Sequence, residues 1–416
     1  MPVVLRAAYS CVTPLFCGGA DPKRSELRLS SFKGVLRYWW RALAWSKFHG
    51  DLRRIEKEEA NLFGGAGSAG QSKVAMRLVV EEPGRLLRPG DRLAESADTR
   101  RDLRGVYYLG YGLVQGYGRN MGCVTRAALV PPIRFVVEML VSRDKVGAST
   151  FQLLIDALKA VGLVGGMGAR SRRGFGSLVL TQLTVQDLSG ISCEVVWKAP
   201  QSVTELREAI SGLHTNRASP EMPVYTAFSA GSRAVIVRND SKNALSLLNH
   251  LGEEMMYYRS WGRNGLVLGE PSERRFREDH DLMLLSDRPT THPRRVAFGL
   301  PHNYFFSSSK DSRTRSVRPI GPRGKELDRR ASPLFIHIHM CGDDPVAVLT
   351  FLPAQFLPPG SAILVNGVSV PIEEDEKRLY EPVEEFLNRL LGRSSWPDNK
   401  SKVRWTQTEE VRWAWA

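Results

Sequence analysis

The chain has 416 residues, too many for one typical core and suited to two domains. With 42% hydrophobic and 9% aromatic residues it has the composition of a globular protein, which excludes wholesale disorder. Its 58 Lys and Arg outweigh 44 Asp and Glu, a formal net charge of +14. That balance favours nucleic acid or another polyanion as partner, although a merely basic enzyme would share it.

Five cysteines (Cys11, Cys17, Cys123, Cys193 and Cys341) are scattered, odd in number and without CxxC spacing. They signal neither a zinc site nor a disulfide framework, so a reducing, cytoplasmic setting is expected. No apolar run approaches the roughly 18 residues of a membrane span, and Met1 to Ala20 lacks a signal-peptide pattern.

Val3 to Thr13 alternates loosely and predicts a first strand. Turn chemistry at Gly18-Gly19-Ala20-Asp21-Pro22 ends it. A helix is predicted from Ser30 to Leu43, with Phe32, Val35, Leu36, Trp39 and Leu43 as its apolar stripe. Lys33, Arg37 and Arg41 recur every four residues and line another face, with Arg28 just upstream. Three cations in register without an intervening acid make this face a candidate phosphate contact. Asp51 to Asn61 is acidic and helical. Gly65 and Gly70 then have P-loop separation, but Gln71 stands where the phosphate-binding lysine belongs, which argues against a nucleotidase. Lys73 to Val80 alternates as a strand.

Pro83 to Arg104 reads as a surface excursion, and Tyr107 to Arg119 interleaves tyrosines with glycines. Those tyrosines either pack beneath a loop or offer stacking platforms for bases. Ile133 to Val141 predicts a strand, Thr150 to Val164 a helix and Ser177 to Leu183 another strand. Between the last two lies a loop with Gly165, Gly166, Gly168, Gly174 and Gly176 interspersed with Arg170, Arg172 and Arg173. Glycines permit close backbone approach, and guanidiniums suit phosphate, so the loop is a candidate polyanion cradle. The succession strand, helix, two strands, helix, strand is the split β-α-β pattern of a ferredoxin-like domain.

Gln186 to Met222 has weak patterning, with a short helix near Val203 to Leu213. A second cycle is expected to begin at Val224 to Ser229, followed by a helix over Ala244 to Tyr258. Ser307 to Arg330 has the composition of a mobile basic loop. Leu334 to Met340 and Ala347 to Leu352 predict strands, and Glu376 to Leu391 an amphipathic helix. The terminal tryptophans Trp405, Trp413 and Trp415 are expected to dock on the core.

These landmarks together resemble the RAMP superfamily of CRISPR proteins, and within it the first subunits of Cmr (type III-B) RNA-targeting effector complexes. The resemblance is carried by Leu15-Phe16-Cys17-Gly18-Gly19, Ser31 to Arg41, Leu62-Phe63-Gly64-Gly65 with Gln71-Ser72-Lys73, and the loop through Gly174-Phe175-Gly176. Phe298-Gly299-Leu300-Pro301 and Arg329 to Leu334 extend it into the second half. It implies an α+β protein of two ferredoxin-like (RRM-like) domains with insertions, expected at 1–185 and 186–416, the first holding the superfamily's glycine-rich loop. It also implies a non-catalytic ribonucleoprotein subunit that helps bind crRNA and complementary target RNA in defence against viruses and plasmids. Its partners would be those RNAs and other Cmr subunits. Arg28, Lys33, Arg37, Arg41, Lys73 and the five glycines and three arginines of the loop are the expected RNA contacts.

Metal-independent RNA cleavage needs a general base near a 2′-OH, commonly histidine. His49 ends the basic helix without an evident partner. His337 and His339 share one side of a strand and would need Asp343 or Asp344 to complete a metal site. His280-Asp281 matches only half of a hydrolase motif. No catalytic residue, metal or cofactor is therefore expected. A RAMP endoribonuclease that processes or cleaves RNA is the competing reading.

Overall fold

Alternation in the first strand, β1 (Pro2–Cys11), puts Leu5, Ala7, Tyr9 and Cys11 on one buried side. Around it forms an antiparallel sheet with β2 (Val74–Glu82), β3 (Ile133–Ser142), β4 (Leu178–Asp187) and β5 (Cys193–Lys198), in the order β2-β3-β1-β4-β5. Helices α1 (Leu29–Lys47), α2 (Leu52–Phe63), α3 (Arg104–Leu109) and α4 (Ala148–Leu163) lie in its connections. Without the edge strand β5, this is the four-stranded order of a ferredoxin-like fold. The computed structural model describes residues 2–19, 21, 23–65, 70–94, 103–189, 192–213, 222–304, 306, 315–396 and 399–413.

A short helix α5 (Val203–Ser211) leads into a second unit of the same plan. Strands β6 (Arg233–Arg238), β7 (Leu334–Cys341), β8 (Asp344–Phe351) and β9 (Gln407–Arg412) pair antiparallel in the order β7-β8-β6-β9. Helix α6 (Ala244–Arg259) follows β6, and α8 (Glu376–Leu390) precedes β9. The long insertion between α6 and β7 contains α7 (Arg277–Leu285). With the β8–α8 connection it forms a four-stranded sheet of 302–304, 315–320, 362–365 and 368–370. The chain is thus α+β, with two ferredoxin-like units and insertions.

The second sheet is apolar on both sides, which explains its nearly continuous hydrophobic strands. Ala234, Ile236, Phe335, Val346 and Val348 pack into the core shared with α1 and α4. Val235, Val237, Ile336, Ile338, Ala347 and Leu349 turn to the opposite core, with α6 and α8. Helices α1 and α4 therefore lie between two sheets. Beyond its expected stripe α1 also hides Trp40, against Phe48 and against Phe63 at the end of α2, and Trp45, against Tyr225 of the connection into the second unit.

Two expected elements are corrected. Val224 to Ser229 is a connection rather than a strand. Its Phe228 donates its amide to the Ala42 carbonyl and its ring packs on Trp39, while the strand begins at Arg233. Within the expected mobile stretch 307–330, residues 307–314 lie outside the described residues, but Arg315–Ile320 is a strand paired with 362–365. Trp413 docks against Phe228 with ring centroids 5.0 Å apart, and Trp405 is partly buried, whereas Trp415 lies outside the described residues. Among the described residues no helix is long and apolar enough to cross a membrane.

Candidate nucleic-acid interface

The glycine-rich loop is a structural joint before it is a surface. It crosses the first strand's exit, with Gly176 N–H donating to Pro14 O (2.9 Å) and Ala169 N–H to Phe16 O (2.8 Å). Gly176 has φ +61°, and a Cβ there would stand 2.1 Å from Met167 O. Gly165, Gly166, Gly174 and Gly176 are buried, and a Cβ on Gly168 would meet Phe16 O at 2.6 Å. These glycines let strands and loop approach one another, and the space a side chain would take is already occupied. The loop also reaches the second unit. Ile336 N–H donates to Arg172 O (3.1 Å), and the fully buried His337 meets Gly165 O through Nδ1 at 2.7 Å.

The loop's arginines differ in depth. Arg170, at φ +60°, is exposed and donates to Tyr111 O at 2.6 Å. Arg172 lies over Phe335 (4.3 Å) and Tyr38 (5.4 Å) and donates to Ser332 O and Thr226 Oγ1. Arg173 reaches Phe298 O at 3.3 Å and Met255 Sδ at 3.2 Å. Burial disfavours the charge on all three, with Arg329 adding to it for Arg170 and Arg259 for Arg173.

The helical cations have other partners. Arg37 Nε and Arg41 NH1 each donate to Glu59 Oε1 at 2.6 Å, and Lys33 Nζ donates to Phe63 O (2.9 Å) at the end of α2. The acid missing from α1 therefore comes from α2, and this face is a helix–helix joint. The glycine-rich loop meets α1 at Tyr38 and Trp39, on another side of the helix. Lys73 Nζ is held by Asn61 Oδ1, while Arg28 is exposed and makes a long contact (3.4 Å) to Gly18 O.

What the loop arginines do join is a cleft of about 850 Å³ between the two units. Eight arginines line it (Arg126, Arg170, Arg172, Arg173, Arg259, Arg295, Arg329 and Arg330) against the single carboxylate of Asp328. Arg126 and Arg329 are exposed and have no acidic partner among the described residues. Tyr111 stands 63% exposed at the rim, whereas Tyr107 is buried, so the tyrosine-glycine stretch divides between packing and a free ring. Sequence reasoning missed Arg126, Arg259, Arg295, Arg329 and Arg330. The signal available for the last two was their place inside the Arg329–Leu334 landmark.

The other candidate surfaces are less suited to RNA. The open side of the first sheet pairs Glu138 with both Arg6 and Arg77, with no stacking aromatics in that triad. His337 and His339 are wholly buried, with pKa values pushed by burial down to about 4 and about 3. Asp344 is engaged with Arg238 at 2.7 Å, and no cluster of three or more metal-ligating side chains occurs among the described residues. His49 is exposed at φ +52°, and His280 contacts Asp281 and stacks near Trp261 and Phe306.

Comparison with known proteins agrees with this architecture. The family model of the RAMP superfamily matches residues 9–179, from the first strand through the glycine-rich loop. The CRISPR system Cmr subunit Cmr1-2 of Pyrococcus furiosus is 29% identical over 179 residues, covering 41% of this chain and 92% of that protein. Cmr1-1 of the same organism is 24% identical over 341 residues, covering 80% and 82%. The crystal structure of Cmr1 from P. furiosus in its apo form superposes with a TM-score of 0.52 at 18% identity, covering 91% of this chain and 96% of that one. A chain in the cryo-EM structure of the Type III-B Cmr-beta bound to cognate target RNA and AMPPnP gives 0.50 at 11% identity, covering 94% and 100%. The last two establish likeness of fold, and the sequence matches carry the kinship. Residues 9–179 thus match the RAMP superfamily, and the chain is similar in sequence to Cmr subunits of the type III-B CRISPR system.

Proposed function

We propose that this chain is a non-catalytic RNA-binding subunit of a type III-B CRISPR ribonucleoprotein, holding crRNA, target RNA or both along the cleft between its two ferredoxin-like units. The observation that carries the reading is the excess of eight arginines over one aspartate on the cleft lining. Guanidiniums bind phosphates irrespective of base, so they supply affinity and position while guide–target pairing supplies sequence specificity. The likeness of fold to a chain of the Type III-B Cmr-beta bound to cognate target RNA and the sequence similarity to Cmr subunits support the same assignment.

The rim arginines test it, because substituting them leaves the core untouched. Arg126→Gln and Arg329→Gln should weaken single-stranded RNA binding at every sequence and flatten the salt dependence by roughly 0.7 per lost contact. Unchanged affinity and unchanged slope would defeat the assignment.

The endoribonuclease reading has one observation in its favour: His302 lines the cleft. Burial, and then Arg259, Arg295 and Arg173, push its pKa well below the ordinary imidazole range, so it is a weak base there. Incubating the purified chain with guide-matched RNA, with and without divalent metal, separates the readings. Cleavage lost in His302→Ala would establish the nuclease.

A further inference from the structure

The floor of the cleft differs from its rim. Arg173 from the glycine loop, Arg259 from the end of α6 and Arg295 from the turn before Phe298 all act on His302. Arg259 lies over the Phe298 ring (4.4 Å), whose carbonyl accepts from Arg173, and Arg295 lies over Tyr304 (5.1 Å). The carboxylate that reaches this group is Asp279, which is 3% exposed and bonded to Arg295 Nε and to the amides of Arg294 and Arg295. Three guanidiniums against one carboxylate leave two positive charges uncompensated in a desolvated place.

Polar atoms are left over there as well. Among the described residues Arg259 Nε and the Tyr304 hydroxyl have no hydrogen-bond partner, and both residues are more than nine-tenths buried (8% and 7% exposed). Buried donors without acceptors are costly, and here the two residues that carry them line the same open volume. Packing that concentrates charge and donors without satisfying them is the arrangement of a site awaiting an anion.

We propose that this floor is a discrete site for a phosphomonoester, the phosphate that terminates an RNA strand, distinct from the backbone contacts at the rim. The proposal rests on the RNA-binding reading above. A backbone phosphodiester carries one negative charge and would neutralise half of the excess. A terminal phosphate, with a second pKa near ~6, carries close to two and offers three free oxygens to the Arg259 and Tyr304 donors. The cleft then positions an RNA by one end as well as by its backbone.

The test uses the full chain and one short single-stranded RNA in three forms, with hydroxyls at both ends, with a 5′-phosphate and with a 3′-phosphate. Affinities are compared at constant ionic strength, with inorganic phosphate as competitor. A phosphate-ended form should bind roughly tenfold or more tightly than the hydroxyl-ended form, the size expected for one or two charge-assisted hydrogen bonds. The preferred end identifies the source. Inorganic phosphate should erode the preference without displacing the hydroxyl-ended RNA. Tyr304→Phe, which removes only an oxygen, and Arg259→Gln should each bring the ratio between ends towards one. Equal binding of all three forms would overturn the proposal while leaving the cleft's RNA role intact. Absence of binding by every form would overturn both.

Discussion

Replacing Glu59 by Gln removes the one carboxylate that joins α1 to α2. Its side chain is 8% exposed and accepts from Arg37 and Arg41, whose side chains are 36% exposed. Breaking a fully buried ion pair costs about 3–5 kcal/mol. The partial exposure of both guanidiniums lets water replace the lost acceptor, so about 2 kcal/mol is the expected loss. For a cooperative unit of 150–250 residues that lowers the melting temperature by roughly 4–8 °C. The same variant reports on RNA. If Arg37 and Arg41 contacted phosphates, removing their competing carboxylate would tighten binding and steepen the salt dependence. The account expects a lower melting temperature with RNA affinity and salt slope unchanged, measured by thermal melts and by binding isotherms across a salt series. An unchanged melt with tighter RNA binding would refute the structural role assigned to this face.

Three further expectations concern other joints. Gly252→Ala would set a Cβ 2.1 Å from Gly105 O, where α6 crosses α3, and should cost about 3 kcal/mol or prevent folding; a denaturation midpoint equal to that of the parent would contradict the close approach. His337 and His339 are neutral when folded, with pKa values of about 4 and about 3 against an unfolded value near ~6.5, so the unfolded chain binds more protons below that pH. Their stabilising contribution is complete above pH ~6.5 and is lost as the pH falls towards 4, by roughly 3 kcal/mol for His337 alone; midpoints that stay level from pH 7 to 5 would contradict it. Tyr111→Ala should weaken single-stranded RNA binding by about 1–3 kcal/mol if a base stacks on that exposed ring, with Tyr111→Phe retaining the affinity and neither variant shifting the melting temperature.

The ferredoxin-like plan was legible where periodicity is strong. Alternation marked β1, and four-residue spacing placed Lys33, Arg37 and Arg41 on one side of α1. Their partner was not legible, because Glu59 sits on a separate helix and pairing across helices depends on packing. Trp40 and Trp45 lie outside the expected apolar stripe because nothing local announces that Phe63 of α2 and Tyr225 of the later connection cover them. The β-formers Val224, Tyr225 and Thr226 imitate a strand, yet their side chains anchor the connection, with Thr226 bonded by Tyr38 and Tyr225 by its hydroxyl to Arg41 O. β9 escaped notice because Gln407–Arg412 is polar and pairs along one side only. Three of the eight arginines of the candidate site were visible as Arg170, Arg172 and Arg173. The rest arrives from Arg126, Arg259, Arg295, Arg329 and Arg330, which the fold brings together from distant parts of the chain.

The most direct test of the cleft as the RNA-binding surface is to map ultraviolet crosslinks between RNA and this chain in the assembled ribonucleoprotein. The account places them in peptides containing Tyr108 to Arg126, Arg170 to Arg173, Phe298 to Tyr304 and Asp328 to Ser332. Crosslinks confined to the Lys33–Arg41 face or to the open side of the first sheet, with the cleft unmarked, would contradict it.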